Sequence, residues 1–214
     1  MPFQQVNSKV VRARVTSADA VLSRRGAMLG YSGAVAFRPV HGQGRGVRGL
    51  AGAAMAGESE PMMAAEGDGS VLYGFRGLHV TLVDLTGDAL VVEADRLLAH
   101  DARLQTSVQF LGSGGLRSAV RGAVTGQGLF TTQVSGSGTV ALLSHGGTFA
   151  LQVRPGEPVG VDPQAYVAST AGVQVDLQAR AGWRDAVGRG SGEALQLQLT
   201  GSGTVHVQAS ERKV

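Results

Sequence analysis

Five histidines, His41, His79, His100, His145 and His206, are the side chains best suited to hold a transition metal. No two of them stand two or four residues apart, so the spacing that presents paired imidazoles from one element is missing. They read as isolated surface histidines, and no metal site is expected. The serines of Gly136-Ser137-Gly138 and Gly201-Ser202-Gly203 look like nucleophiles in glycine turns. No Gly-x-Ser-x-Gly elbow surrounds them, and the matching run Gly67-Asp68-Gly69 carries an aspartate instead. Asp and Ser both suit tight turns, which accounts for all three runs. A Gly-x-Gly-x-x-Gly string at Gly44, Gly46 and Gly49 would cradle a phosphate only between a strand and a helix in a βαβ unit. Its surroundings read as β, so a loop is expected. Asp19, Asp88 and Glu157 form the most regular acidic set, but acid/base work needs two carboxyls close together. These three read as turn residues. No catalytic residue and no cofactor is assigned.

The basic residues are more suggestive. Arg48, Arg117 and Arg184 each open a similar segment, with Arg121 and Arg189 nearby. If the three segments face one way, this set could attract an anion, an acidic lipid surface or an acidic partner. It is the candidate binding set. The flanking Leu50, Met55, Leu116, Val120 and Val124 could equally form a subunit contact.

Composition limits these choices. The chain has 214 residues, 43% hydrophobic and 16% charged, which is a globular balance. Aromatics are only 5% and glycines number 33, so the core must rest on small aliphatics between tight turns. The formal charge of +3 comes almost wholly from arginine, with lysine only at Lys9 and Lys213. No basic stripe is present, which disfavours nucleic acid. There is no cysteine, so disulfides and thiolate chemistry are excluded. The first residues lack the basic start and apolar run of a signal peptide, and no stretch approaches the ~18 apolar residues of a membrane span. A cytoplasmic protein is expected, with peripheral membrane contact left open.

The elements that would position these residues recur. Asp19-Ala-Val21-Leu22, Asp88-Ala-Leu90-Val91 and Glu157-Pro-Val159-Gly160 lie 69 residues apart. So do Met28-Leu29, Leu97-Leu98 and Tyr166-Val167, and so do Val35, Leu104 and Val173. The Gly-x-Gly runs follow the same spacing from the first to the second, shortened to 65 for the third. Three internal repeats are therefore expected, at 1–76, 77–145 and 146–214, forming one domain over 1–214. Tyr31, His100 and Ser169 fall in one slot of the three, too unlike to be a shared ligand set. Alternation such as Val173-Gln-Val175-Asp-Leu177 and Leu195-Gln-Leu197-Gln-Leu199 predicts half-buried strands. The Ala-rich runs at 47–56 and 115–124 suit short helices or ordered loops. The expectation is an all-β fold of three sandwich or barrel units. A closed pseudo-threefold arrangement is the simplest geometry that treats them alike.

Gly26-Ala-Met28-Leu29, Gly115-Leu-Arg117-Ser before Gly126-Gln-Gly128-Leu-Phe130, Gly136-Ser-Gly138-Thr-Val140 and Pro155-Gly156-Glu157 resemble the altered-inheritance-of-mitochondria family. The resemblance covers nearly the whole chain. It implies three tandem TRAP-like β units and no established enzymatic activity. The link of a mitochondrial member to inner-membrane organisation makes scaffolding the implied role. The leading expectation is a non-enzymatic scaffold or interaction protein that forms a homo-oligomer. An anion or acidic-lipid binding module is the second reading, and RNA binding by likeness to TRAP the third.

Overall fold

The computed structural model describes residues 2–40, 62–111, 129–179 and 195–210. Among them the chain is almost entirely strand, broken by one 3₁₀ turn at Ala94–Arg96. No helix of the described residues is long and apolar enough to cross a membrane. The Ala-rich runs at 47–56 and 115–124 lie outside the described residues.

The first third holds β1 (Phe3–Asn7), β2 (Val10–Val15), β3 (Val21–Ser23), β4 (Met28–Val40) and β5 (Met62–Tyr73). The middle holds β6 (His79–Glu93), β7 (Leu97–Asp101), β8 (Gln105–Leu111) and β9 (Leu129–Ser144). The last third holds β10 (Thr148–Val153), β11 (Val159–Val161), β12 (Tyr166–Thr170), β13 (Val173–Ala179), β14 (Leu195–Gly201) and β15 (Gly203–Gln208). Every pairing between these strands is antiparallel. The large sheet runs β1-β2-β5-β3-β7-β9-β6-β12-β15-β10, with β4 on β5 and β8 on β9. A smaller sheet has the order β11-β14-β13.

Alternation in the sequence sets the faces. Val173 and Val175 are buried in β13 while Gln174, Asp176 and Gln178 are exposed. Leu197 and Leu199 turn inward from β14, and Val205 and Val207 from β15. The buried side chains form three clusters. The first is built on Val11, Val15, Val71 and Tyr73, the second on Leu90, Val134, Val140 and Leu142, and the third on Tyr166, Leu197, Leu199 and Val205. Small aliphatics fill them, as few aromatics are available.

The Gly-x-Gly runs are not the tight turns expected of them. Gly67-Asp68-Gly69 lies inside β5 and Gly136-Ser137-Gly138 inside β9, while Ser202 separates β14 from β15. They are creases where one long strand leaves one neighbour for another. The inner half of β5 pairs β3 at Met63–Ala65, and its outer half pairs β2 at Gly69–Tyr73. Gly67 takes φ +118°, and a Cβ there would sit 2.1 Å from the Ala34 carbonyl oxygen. Only glycine lets the two backbones approach so closely. Gly67→Ala is expected to cost about 3 kcal/mol, and Gly77→Ala about 1 kcal/mol, because Gly77 shares the positive φ but faces open space. Urea unfolding of the two variants measures the difference.

Candidate functional site: an exposed apolar strand

β7 and β12 are each shared between two neighbours. β7 pairs β9 on one edge and β3 on the other, and β12 pairs β15 and β6. All of β7 is buried, as is β12 from Tyr166 to Ser169. A one-residue bulge interrupts the inner ladder of each, between Leu97 and Ala99 and between Tyr166 and Ala168. The bulged residues Leu98 and Val167 are fully buried, and each joins a core cluster of the sheet it leans on.

The start of β4 lies 69 residues before β7 and repeats its inner ladder. Met28 pairs Tyr73, Gly30 pairs Leu72 and Tyr31 pairs Val71, with the same bulge between Met28 and Gly30. Among the described residues no strand pairs its other edge. Met28 is 42% exposed, Leu29 58% and Tyr31 56%. Tyr31 packs edge-on to Phe37, with ring centroids 5.3 Å apart. One strand thus carries three of the large apolar side chains that face solvent, where β7 and β12 carry none.

Polar groups reinforce the two junctions that β7 and β12 make. Arg24 donates from its backbone amide to the Leu98 carbonyl and from its guanidinium to the Asp95 carbonyl, both at 2.8 Å. Arg103 donates to the buried Asp101 carboxylate at 2.9 Å and lies 3.6 Å from Asp19. The Tyr166 hydroxyl donates toward the Val91 carbonyl at 3.3 Å and lies 2.9 Å from the Ser169 hydroxyl. Burial drives the Tyr166 phenol well above its ordinary pKa, so it stays a neutral donor. Beside these, Arg96 and Glu93 form a nearly buried ion pair at 3.0 Å.

The candidate binding arginines Arg48, Arg117, Arg184, Arg121 and Arg189 all lie outside the described residues, as do His41 and the Gly44–Gly49 string. Among the described residues no three His, Asp or Glu side chains stand close enough to share a metal ion. The acidic set is scattered. Asp19 closes a turn with Thr16, and Glu157 closes one with Arg154. Asp88, expected in a turn, lies inside β6 opposite Gly136. His100 is not a surface histidine. It lies within β7 at 1% exposure, and its Nδ1–H donates to the Asp101 carbonyl oxygen at 2.8 Å. The slot shared by Tyr31, His100 and Ser169, too varied to be a ligand set, is where the structure brings strands together. His100 faces Leu22 across one junction, and Ser169 faces Val91 across the other. The signal lay in the 69-residue spacing, but it points to strand contact and not to metal.

A family model described as "Mitochondrial biogenesis AIM24" matches residues 3–210. The chain belongs to the AIM24 family. No curated protein matches it significantly. The crystal structure of protein SPYM3_0169 from Streptococcus pyogenes is similar to this AIM24 chain, with a TM-score of 0.73 at 20% identity. The match covers 98% of this chain and 92% of that one, so the two share a fold along their whole length. In this AIM24 chain the shared slot holds a histidine only at His100. Burial lowers its pKa, and the nearby Asp101 opposes that shift without cancelling it. The unfolded chain therefore binds the proton more readily than the folded one. Stability is fully present above the ordinary histidine pKa of about 6.5 and is lost as pH falls below it. Half-buried His206 acts with the same sign. His100→Asn should flatten, though not abolish, the fall in melting temperature between pH 7.5 and pH 5, read by circular dichroism.

Proposed function

We propose that this AIM24 chain is a non-enzymatic interaction protein, built of three TRAP-like units at 1–76, 77–145 and 146–214, that associates with further copies of itself. Three ladders support the unit reading. β2 pairs the end of β5, the start of β6 pairs the end of β9, and β10 pairs β15. The bulges at Met28/Gly30, Leu97/Ala99 and Tyr166/Ala168 keep the 69-residue spacing of the sequence. Each unit also hands a strand to the one before it, β7 to β3 and β12 to the end of β6. A pseudo-threefold ring would need a third such junction. The pairings of the described residues hold two.

The observation that carries self-association is the exposure of Met28, Leu29 and Tyr31 on a strand whose counterparts are buried. An unpaired apolar edge is a template for another chain, and proteins that do not use such an edge cover it or charge it. The polar clusters at the strand junctions favour a structural role over a catalytic one. Arg24 and Tyr166 hydrogen-bond across strand junctions, and Arg103 reaches across one to Asp19 by charge.

Sedimentation velocity over a hundred-fold concentration range tests this reading. The expected result is a species of at least twice the chain mass that persists at micromolar concentration. A monomer at every concentration overturns it.

A further inference from the structure

The neighbour that β4 lacks among the described residues has a counterpart at the far end of the chain. β3 is paired on both edges, by β5 and β7, and the matching stretch Leu90–Val92 of β6 is paired by β9 and β12. β11, a further 69 residues on, pairs β14 alone among the described residues. The chain thus shows one edge at Met28–Ser32 and a complementary one at Val159–Val161.

The cores show the same deficit. The first core takes in Leu98 and Ala99 from the following unit, and the second takes in Val167 and Ala168. Among the described residues the third is made only of residues from 151 onward, with no strand from a following unit. By the same spacing, the residues it lacks are Leu29 and Gly30, and Leu29 is the most exposed large apolar side chain described.

Resting on the self-association reading above, we propose that β4 of one copy docks antiparallel on β11 of a second copy, head to tail, and that Leu29 fills the open end of the second copy's third core. The two existing junctions fix the register independently. Val21, Leu22 and Ser23 face Asp101, His100 and Ala99, and Leu90, Val91 and Val92 face Thr170, Ser169 and Ala168. Carried one spacing on, both give Val159 facing Ser32, Gly160 facing Tyr31 and Val161 facing Gly30. Backbone bonds agree as well. Ala102 donates to Ala20 at 3.1 Å and Ala171 to Ala89 at 3.0 Å, so Gly33 would donate to Pro158. Side-chain size fits this register. Tyr31, the largest residue in its slot, meets Gly160, the smallest, and a glycine within a strand is best covered by an aromatic neighbour across the ladder. Because the two edges differ, the contact is heterologous, and copies joined this way close into a ring if the rotation permits.

The absence of cysteine makes the register directly testable. Chains carrying Ser32→Cys and chains carrying Val159→Cys are mixed and oxidised. A disulfide-linked pair should form about ten-fold faster than from either variant alone, or from Ser32→Cys mixed with Gln178→Cys at an exposed position of β13. Faster linking of Ser32→Cys to itself overturns the proposal, as does a double variant that links within a single chain. Leu29→Asp supplies the second measurement. It should weaken association by about ten-fold or more while leaving the melting of the monomer unchanged, since Leu29 is exposed there. If Leu29→Asp keeps the wild-type mass, the docking mode fails while self-association stands. If the wild-type protein is itself a monomer throughout, both fail together.

Discussion

A short strand held on both edges within the large sheet is the interaction on which this molecule depends. β7 and β12 each satisfy backbone groups on both edges and send a bulged aliphatic residue into a neighbouring core. The two effects support each other. An N–H or C=O buried without a partner costs as much as a lost hydrogen bond. Burying a Leu or Val side chain contributes about 1.5–3 kcal/mol. A strand that does both at once fixes the register between successive thirds of the chain. A stretch of about 70 residues is marginal by itself, because it buries a small share of its surface. The first two cores, which rely on Val, Leu and Ala, are completed by residues from the next stretch of chain.

That dependence explains what could be read in the sequence and what could not. The all-β class was legible because alternation is local, and the faces of β13, β14 and β15 fall where Val173, Leu197, Leu199 and Val205 place them. The 69-residue spacing was legible too, and the bulges at Leu98 and Val167 follow it. The role of the glycine runs was not. Gly-Asp-Gly and Gly-Ser-Gly have turn composition, and nothing local distinguishes a turn from a crease that carries one strand between two partners. The difference lies in residues such as Ala34, whose carbonyl approaches Gly67 from a distant part of the sequence. His100 was misread as a surface residue for the same reason. Its ring is enclosed because β3 and β9 flank its strand, a long-range fact that no pattern around residue 100 records. The slot of Tyr31, His100 and Ser169 was visible as an alignment but was judged by ligand chemistry. His100 faces Leu22 and Ser169 faces Val91 across a strand junction, whereas no strand among the described residues pairs that edge of Tyr31. The arginine set was chosen on charge alone, and its positions lie outside the described residues.

The remainder of β4 bears on why its large exposed apolar side chains are confined to its beginning. The strand continues to Val40, and a long bare edge would invite pairing in any register. After Ser32 the edge is interrupted. Gly33 takes φ +90°, Arg38 binds Glu66 across the ladder at 2.9 Å, and Pro39 has no amide to offer a partner. A charged pair and a proline are common means of keeping an edge solitary. They are absent from Met28–Ser32, where the side chains are apolar or small. At the other end β11 is only three residues long and follows Pro158, so it accepts a short partner and little more. Two brief edges, Met28–Ser32 and Val159–Val161, beside a strand otherwise guarded against pairing, favour a single docking register over general stickiness.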